Sequence, residues 1–167
     1  MSEAHVHLIL NHIPVLGTLF GIALLTGGLA ARSTPVRMAG LVAFVLSAVA
    51  ALAAYLTGEP AEHLVEKLPG VSGSVIERHE AAATVALAAS LLAGAAALAS
   101  LLLCRFRKPT ASLALAAVLV LAVASAGTMS WTANLGGQIR HTEIRASGGD
   151  SPVTQQQGRD DEREHDD

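Results

Sequence analysis

Imidazole is the side chain best suited both to hold a metal and to exchange a proton near neutral pH. In this 167-residue chain all seven histidines and all fourteen carboxylates fall within residues 3–12, 59–80 and 141–167. Three of the histidines, His12, His79 and His141, are spaced so that separate helices would bring them to one level. Imidazoles from different helices of a bundle are what a bis-histidine b-type haem needs: two neutral ring nitrogens on opposite faces of the iron, enclosed by apolar side chains. Arg78 and Arg140 fall near the same level, where guanidinium groups would pair with haem propionates. A non-haem site for zinc, copper, iron or manganese is the alternative. It would draw on Glu62 with Glu66 at i, i+4, Glu77 with Glu80 at i, i+3, and on His63, His79 and His7. A solvated charged face accounts for those carboxylates more simply. Taken singly, any of these histidines is an ordinary interfacial hydrogen-bonding residue, and His5, His7 and His63 read that way most readily. The coincidence of His12, His79 and His141 argues for a site.

The elements that would position these groups are membrane spans. Half of the residues are hydrophobic (51%), 15% are charged and the mean hydropathy is +0.48, a composition too apolar for a soluble domain of this length. Four apolar runs, 6–30, 38–57, 81–104 and 111–135, each reach the roughly 20 residues that a helix needs to cross a bilayer. Backbone groups in lipid must be paired within the segment, and no alternating strands are present, so helices are expected. The expected fold is therefore all-α, an integral membrane four-helix bundle over residues 1–145. The short connections between spans one and two and between spans three and four carry Arg32, Arg37, Arg105, Arg107 and Lys108 and no acidic residue. The positive-inside rule puts them in the cytoplasm, which leaves both termini and the 58–80 connection outside, N-out and C-out, in the inner membrane of a bacterium. Tyr55 and Trp131 lie near the outer ends of their spans, where such rings favour the interface. The first apolar run starts at once without a basic leader, so an uncleaved first span is expected.

Local signals refine this frame. Pro60 opens a short surface helix predicted over 61–68, which Pro69 and Gly70 end. Ser74 and Glu77 form a capping-box pattern that predicts a third helix starting near Val75. In the first segment either a helix from Val6 kinks at Pro14, or an extended lead-in is capped by Asn11. On a continuous helix His5 and His12, seven apart, share a face, whereas His7 lies about 140° from His12, so one ligand from this segment is easier than two. Gly17 with Gly21, then Ala86, Ser90 and Gly94, then Ala122, Ala126 and Ser130, recur at intervals of four, a spacing that lets helices approach closely in lipid. They serve the bundle itself, a homo-oligomer or a partner subunit. Gly136 and Gly137 would admit a flat cofactor or a neighbouring helix. Residues 146–167 are polar and mostly acidic and read as a disordered periplasmic tail.

Four pieces of sequence resemble one family: His7-x4-His12-x-Pro14, the 57–62 stretch Thr-Gly-Glu-Pro-Ala-Glu, Glu77-Arg-His79-Glu80, and Leu135-Gly-Gly followed by His141. The family consists of small four-helix bacterial membrane proteins, catalogued as a domain of unknown function and regarded as candidate binders of b-type haem. The likeness spans roughly residues 5–145, and the first motif is its most specific part. The chain departs from the pattern around His141, where the interval after the paired glycines is shortened and no glycine follows the histidine. The resemblance implies the site more than an activity.

The function expected from the sequence is electron transfer by a membrane-embedded haem b protein at the periplasmic face, between a quinol and a periplasmic cytochrome or within a larger redox complex. A periplasmic-side non-haem metal protein and an accessory packing subunit of a membrane complex are the alternatives. A stand-alone enzyme is less expected, since neither a nucleophile elbow nor a phosphate-cradling loop is present. The acidic balance, 14 Asp and Glu against 11 Lys and Arg, argues against nucleic acid as a partner.

Overall fold

The computed structural model describes residues 2–105 and 112–145, and among them the chain is entirely helical. The elements are α1 (Glu3–Leu10), α2 (His12–Ala30), α3 (Thr34–Leu56), α4 (Gly58–Val65), α5 (Gly73–Arg105), α6 (Ser112–Arg140) and a closing 3-10 turn over Thr142–Ile144. Four helical stretches, Glu3–Ala30, Thr34–Val65, Gly73–Cys104 and Ser112–Arg140, are long and apolar enough to cross a membrane. The protein is thus a multi-pass membrane bundle. The expected tail, the basic residues Arg107 and Lys108 and the side chain of Arg105 lie outside the described residues.

Several helices run past the apolar limits read from sequence. The first begins at Glu3, with the Ser2 hydroxyl accepting from the His5 amide, and passes through Asn11, itself in right-handed helical conformation, into α2. The segment is therefore helical rather than an extended lead-in, with an interruption at Asn11. Pro14, with no amide hydrogen to give, leaves the carbonyl of Leu10 without its helical donor, beside the break at Asn11. The helix expected over 61–68 is displaced to Gly58–Val65, so Pro60 sits in its first turn, where its missing donor costs nothing. The third span starts at Gly73, two residues before the expected Val75, with the Ser72 carbonyl accepting from the amides of Val75 and Ile76. The last reaches Arg140, five residues beyond the apolar run. His7, His79 and Arg140 are consequently all held on helices.

The packing inverts the polarity of a soluble bundle. Leu46 and Val49 are each 63% exposed and Val120 is 69% exposed, whereas Thr18, Ser47, Ser90, Ser100 and Ser125 are buried. Inside, these hydroxyls find partners: Ser90 donates to the Ala86 carbonyl at 2.6 Å and meets Ser125 across the α5–α6 interface at 3.0 Å. α2 lies along α3, α3 along α5 and α5 along α6, while α2 and α6 meet over a shorter stretch. Since lipid exerts no burial force between helices, close approach carries the association. The small residues supply it: Gly17 faces the Ser47 side chain, Gly94 faces the Ala48 methyl, and a β-carbon at Gly21 would lie 2.5 Å from the Phe44 ring. Phe44, Leu25, Leu41, Ala97, Leu115, Val118 and Ala122 form the main core, with a smaller cluster of Ala51, Ala86 and Met129.

Between α2 and α3 the chain turns on Arg32, which adopts the left-handed conformation (φ 53°), and the Ser33 amide reaches back to the Gly28 carbonyl at 2.9 Å. This is the 6→1 closure that ends many helices, formed here without the usual glycine. At the opposite end of the bundle lie α1, the 58–72 connection and the residues after α6. There α1 packs on α4, and the Arg145 guanidinium donates to the carbonyls of Gly70, Ile139 and Gln138 at 2.8–3.0 Å.

The glycine contacts carry a prediction. Gly21→Leu forces a side chain into the Phe44 ring and is expected to cost about 1–3 kcal/mol, whereas Gly127→Ala, with nothing within 4 Å of the new methyl, is expected to be neutral or stabilising by up to about 1 kcal/mol. Thermal unfolding of both variants in detergent checks the pair; equal effects would contradict the packing.

Candidate functional site

The site is built at the end of the bundle that carries α1 and α4. There α3 is in its last turn, where helical carbonyls run short of helical donors. One of them, that of Ala54, lies 3.0 Å from Nδ1 of His7, reaching in from α1. The hydroxyl oxygen of Thr57 lies 3.1 Å from the same nitrogen. Thr57 spends its own proton on the carbonyls of Ala54 (2.9 Å) and Ala53 (3.2 Å), so its oxygen is left to accept. Both neighbours of Nδ1 are acceptors, which assigns the proton of the neutral ring to Nδ1 and the lone pair to Nε2. Gly58 lies alongside, its β position 3.8 Å from Cε1 of the ring.

His79 is held in the same way on the other side of the bundle. It belongs to the second turn of α5 and donates from Nδ1 to the Thr132 carbonyl of α6 at 3.0 Å. Its ring lies against Gly136, where a β-carbon would be 3.1 Å from Cε1 and 3.3 Å from Nδ1. The paired glycines are thus used in part for a neighbouring side chain: Gly136 makes room for His79, and a β-carbon at Gly137 would lie 3.6 Å from the Ile144 side chain. The two rings are both half-buried. In both, the Nδ1 hydrogen bond leaves the lone pair at Nε2, the arrangement by which a ligating histidine is oriented when its other nitrogen is hydrogen-bonded to the protein.

The remaining residues singled out in the sequence are placed differently. His12 is exposed, and its Nδ1 donates to the Leu8 carbonyl of its own helical segment at 2.7 Å. His141 is exposed and pairs with Glu143 at 2.8 Å. The Glu143 carboxyl is held below the ordinary carboxylate range, first by its own backbone amide and then by the His141 imidazole. Arg78 is exposed and donates to the Ser74 carbonyl one turn back, and Arg140 is exposed at the end of α6. His5 and His63 are exposed as well, His63 lying 3.7 Å from Glu66. His165 lies outside the described residues. Among the described residues no three His, Cys, Asp or Glu side chains converge as a metal ion held by protein alone would need. The trio His12, His79 and His141 is accordingly not gathered into one cluster.

The carboxylates form a feature of their own. Glu62, Glu66 and Glu77 line a cleft of about 240 Å³ with Val71, Gly73 and Ile76. Glu80 comes within hydrogen-bonding reach of Glu62. A second cleft of about 170 Å³ opens beside α1, lined by Glu3, Val6, Leu56, Thr57 and Pro60. Two features here carry little sequence signal. The carbonyl partners of His7 and His79 belong to residues 47 and 53 positions away. Arg145, whose guanidinium closes the end of α6, shows itself only as a basic residue just past a helix terminus.

Glu80→Gln is expected to raise thermal stability at neutral pH by about 1 kcal/mol, because a carboxamide can donate to the facing Glu62 carboxylate where two like charges otherwise meet. A loss of stability on that substitution would contradict the pairing. Comparison of the chain with known proteins finds no matching family model, no matching curated protein and no matching solved structure.

Proposed function

We propose that this protein is a membrane-embedded b-type haem protein that transfers electrons at the periplasmic face of the bacterial inner membrane, alone or as a subunit of a larger redox complex. The observation that carries this reading is a half-buried imidazole, His79, braced by the carbonyl of another span at the end of the bundle where the first span also delivers histidines. The basic residues of the two short connections assign that end to the periplasm. The resemblance of the His7, His79 and His141 motifs to candidate haem proteins points the same way.

The donor chemistry fits haem better than a bare metal. A porphyrin brings four nitrogens, so two protein imidazoles complete the iron, whereas zinc and its relatives take three or four ligands from the protein, and no such group converges among the described residues. Zinc, copper or non-haem iron therefore ranks second, with the acidic cleft of Glu62, Glu66 and Glu77 as its place. The two clefts, at about 240 and 170 Å³, are below the roughly 300 Å³ at which cofactor pockets begin, and neither is lined by His7 or His79. An accessory packing role has less to stand on, because Gly17, Gly21, Gly28, Gly40 and Gly94 are all engaged by neighbouring helices of the same chain.

When bound, haem would supply a one-electron iron couple. The chain's part is to hold the iron through His79 and a first-span imidazole, to offer the exposed Arg78 and Arg140 to the propionates, and to keep the redox centre at one side of the membrane. A quinol in the bilayer and a periplasmic cytochrome are the partners this position suits, which makes the protein an electron carrier or subunit rather than a stand-alone enzyme. Protein purified from haem-replete cells is expected to show Soret and alpha bands in a reduced-minus-oxidised spectrum, and His79→Ala is expected to abolish them. A colourless, iron-free preparation would contradict the proposal.

A further inference from the structure

We infer that the turn joining α2 and α3 is a binding surface for anionic phospholipid, with the guanidinium groups of Arg32 and Arg37 taking the headgroup phosphate. This is independent of the haem reading above.

Charge is divided along the bundle. The described carboxylates, from Glu3 to Glu143, all belong to α1, to α4 and the connection after it, to the first turns of α5, or to the residues after α6. The α2–α3 turn lies at the other end, and between Glu3 and Glu59 the sequence has no acidic residue. The ion pairs among the described residues, His63 with Glu66 and His141 with Glu143, do not involve Arg32 or Arg37. No described carboxylate therefore neutralises these two cations. What surrounds the end of a membrane span is the headgroup layer, which offers phosphate.

Local geometry keeps both guanidinium groups free to use it. Arg32 is exposed and is the one non-glycine residue among the described residues with a left-handed backbone, φ 53°. Glycine fits that position without steric cost, and a topology signal needs a cation in the connection but not at this residue. An arginine that accepts the strain points to a use for its side chain. Arg37, in the first turn of α3, is half-buried. Its stem lies over Gly28 of α2, where an added β-carbon would be 2.9 Å from Cγ, and its Nε donates to the Ser33 carbonyl at 3.4 Å. Its two terminal nitrogens have no hydrogen-bond partner among the described residues. A guanidinium so placed can donate to two phosphate oxygens at once while its carbon stem stays on the helix surface.

Net charge would set the preference. In phosphatidylcholine an ammonium on the same headgroup offsets the phosphate, whereas phosphatidylglycerol presents it unopposed. The orientation proposed above makes these the lipids of the cytoplasmic leaflet.

The test compares phosphatidylglycerol with phosphatidylcholine bound to the full-length protein in detergent, by native mass spectrometry of wild type, Arg32→Gly, Arg32→Lys, Arg37→Gln and the Arg32→Gly, Arg37→Gln double variant. Glycine suits the left-handed turn, and glutamine keeps a donor for the Ser33 carbonyl, so the fold is retained, which thermal unfolding checks. Arg105, Arg107 and Lys108 stay unchanged throughout. Wild type is expected to prefer phosphatidylglycerol. Arg32→Gly and Arg37→Gln are each expected to weaken that lipid about fivefold with no loss of thermal stability, and Arg32→Lys to keep most of the binding. Equal binding of the two lipids by wild type, or a full preference for phosphatidylglycerol in the double variant, would overturn the proposal. Displacement of the lipid by inorganic phosphate, but not by sodium chloride at the same ionic strength, would overturn it as well, since it would mark a site for free phosphate.

Discussion

A carbonyl at the end of a membrane helix has to find a donor from the protein, because the apolar surroundings supply none. In this bundle two helical carbonyls, that of Ala54, which also accepts from the Thr57 amide and hydroxyl, and that of Thr132 in α6, are each met by an imidazole from a different helix. The arrangement at the α1–α4 end follows from that pairing. His7 draws α1 onto α3 and α4, His79 draws α5 onto α6, and each ring is left with one unprotonated nitrogen toward its surroundings. A structural need and a chemical opportunity are met by the same hydrogen bonds. The ring nitrogen that satisfies the backbone is the one a metal does not need.

The rest of the bundle explains how helices so poor in polar groups hold this end together. With large apolar residues turned outward toward lipid, stability inside depends on close packing over glycine, alanine and serine. Gly21 beneath Phe44 and Gly94 against Ala48 let α2, α3 and α5 approach, and the Ser90–Ser125 pair ties α5 to α6. Nearer the histidines the buried residues are Ala51, Ala54, Ala82 and Ala86 together with Val75, Ile76, Met129 and Leu135. At the α1–α4 end directed hydrogen bonds from His7, His79 and Arg145 add to that packing.

Much of this was legible in the sequence because the signals were long or local. Four apolar runs of 20 or more residues require spanning helices whatever their neighbours do, and the structure carries four. The 140° offset between His7 and His12 is likewise a local property of a helix. What the sequence alone did not contain was which of those two faces turns inward, since that depends on how α1 packs against the end of α3 and α4. His12, beside Pro14 and deeper in the apolar run than His7, is nevertheless the exposed one of the two. The start of α5 at Gly73 was missed by two residues because Ser72, not Ser74, supplies the capping carbonyl. His79 near the start of a span could be anticipated. Its seat on Gly136 could not, because it depends on the register of α5 against α6, set by packing along their whole length.

The central claim is that backbone carbonyls fix both imidazoles with the proton on Nδ1 and the lone pair on Nε2. Nitrogen-15 spectra of the protein in lipid nanodiscs, labelled at histidine and assigned by single substitution, report this directly. The account predicts neutral, Nδ1-protonated tautomers for His7 and His79 at neutral pH. A proton on Nε2 of either ring, or rapid exchange between the two tautomers, would contradict it.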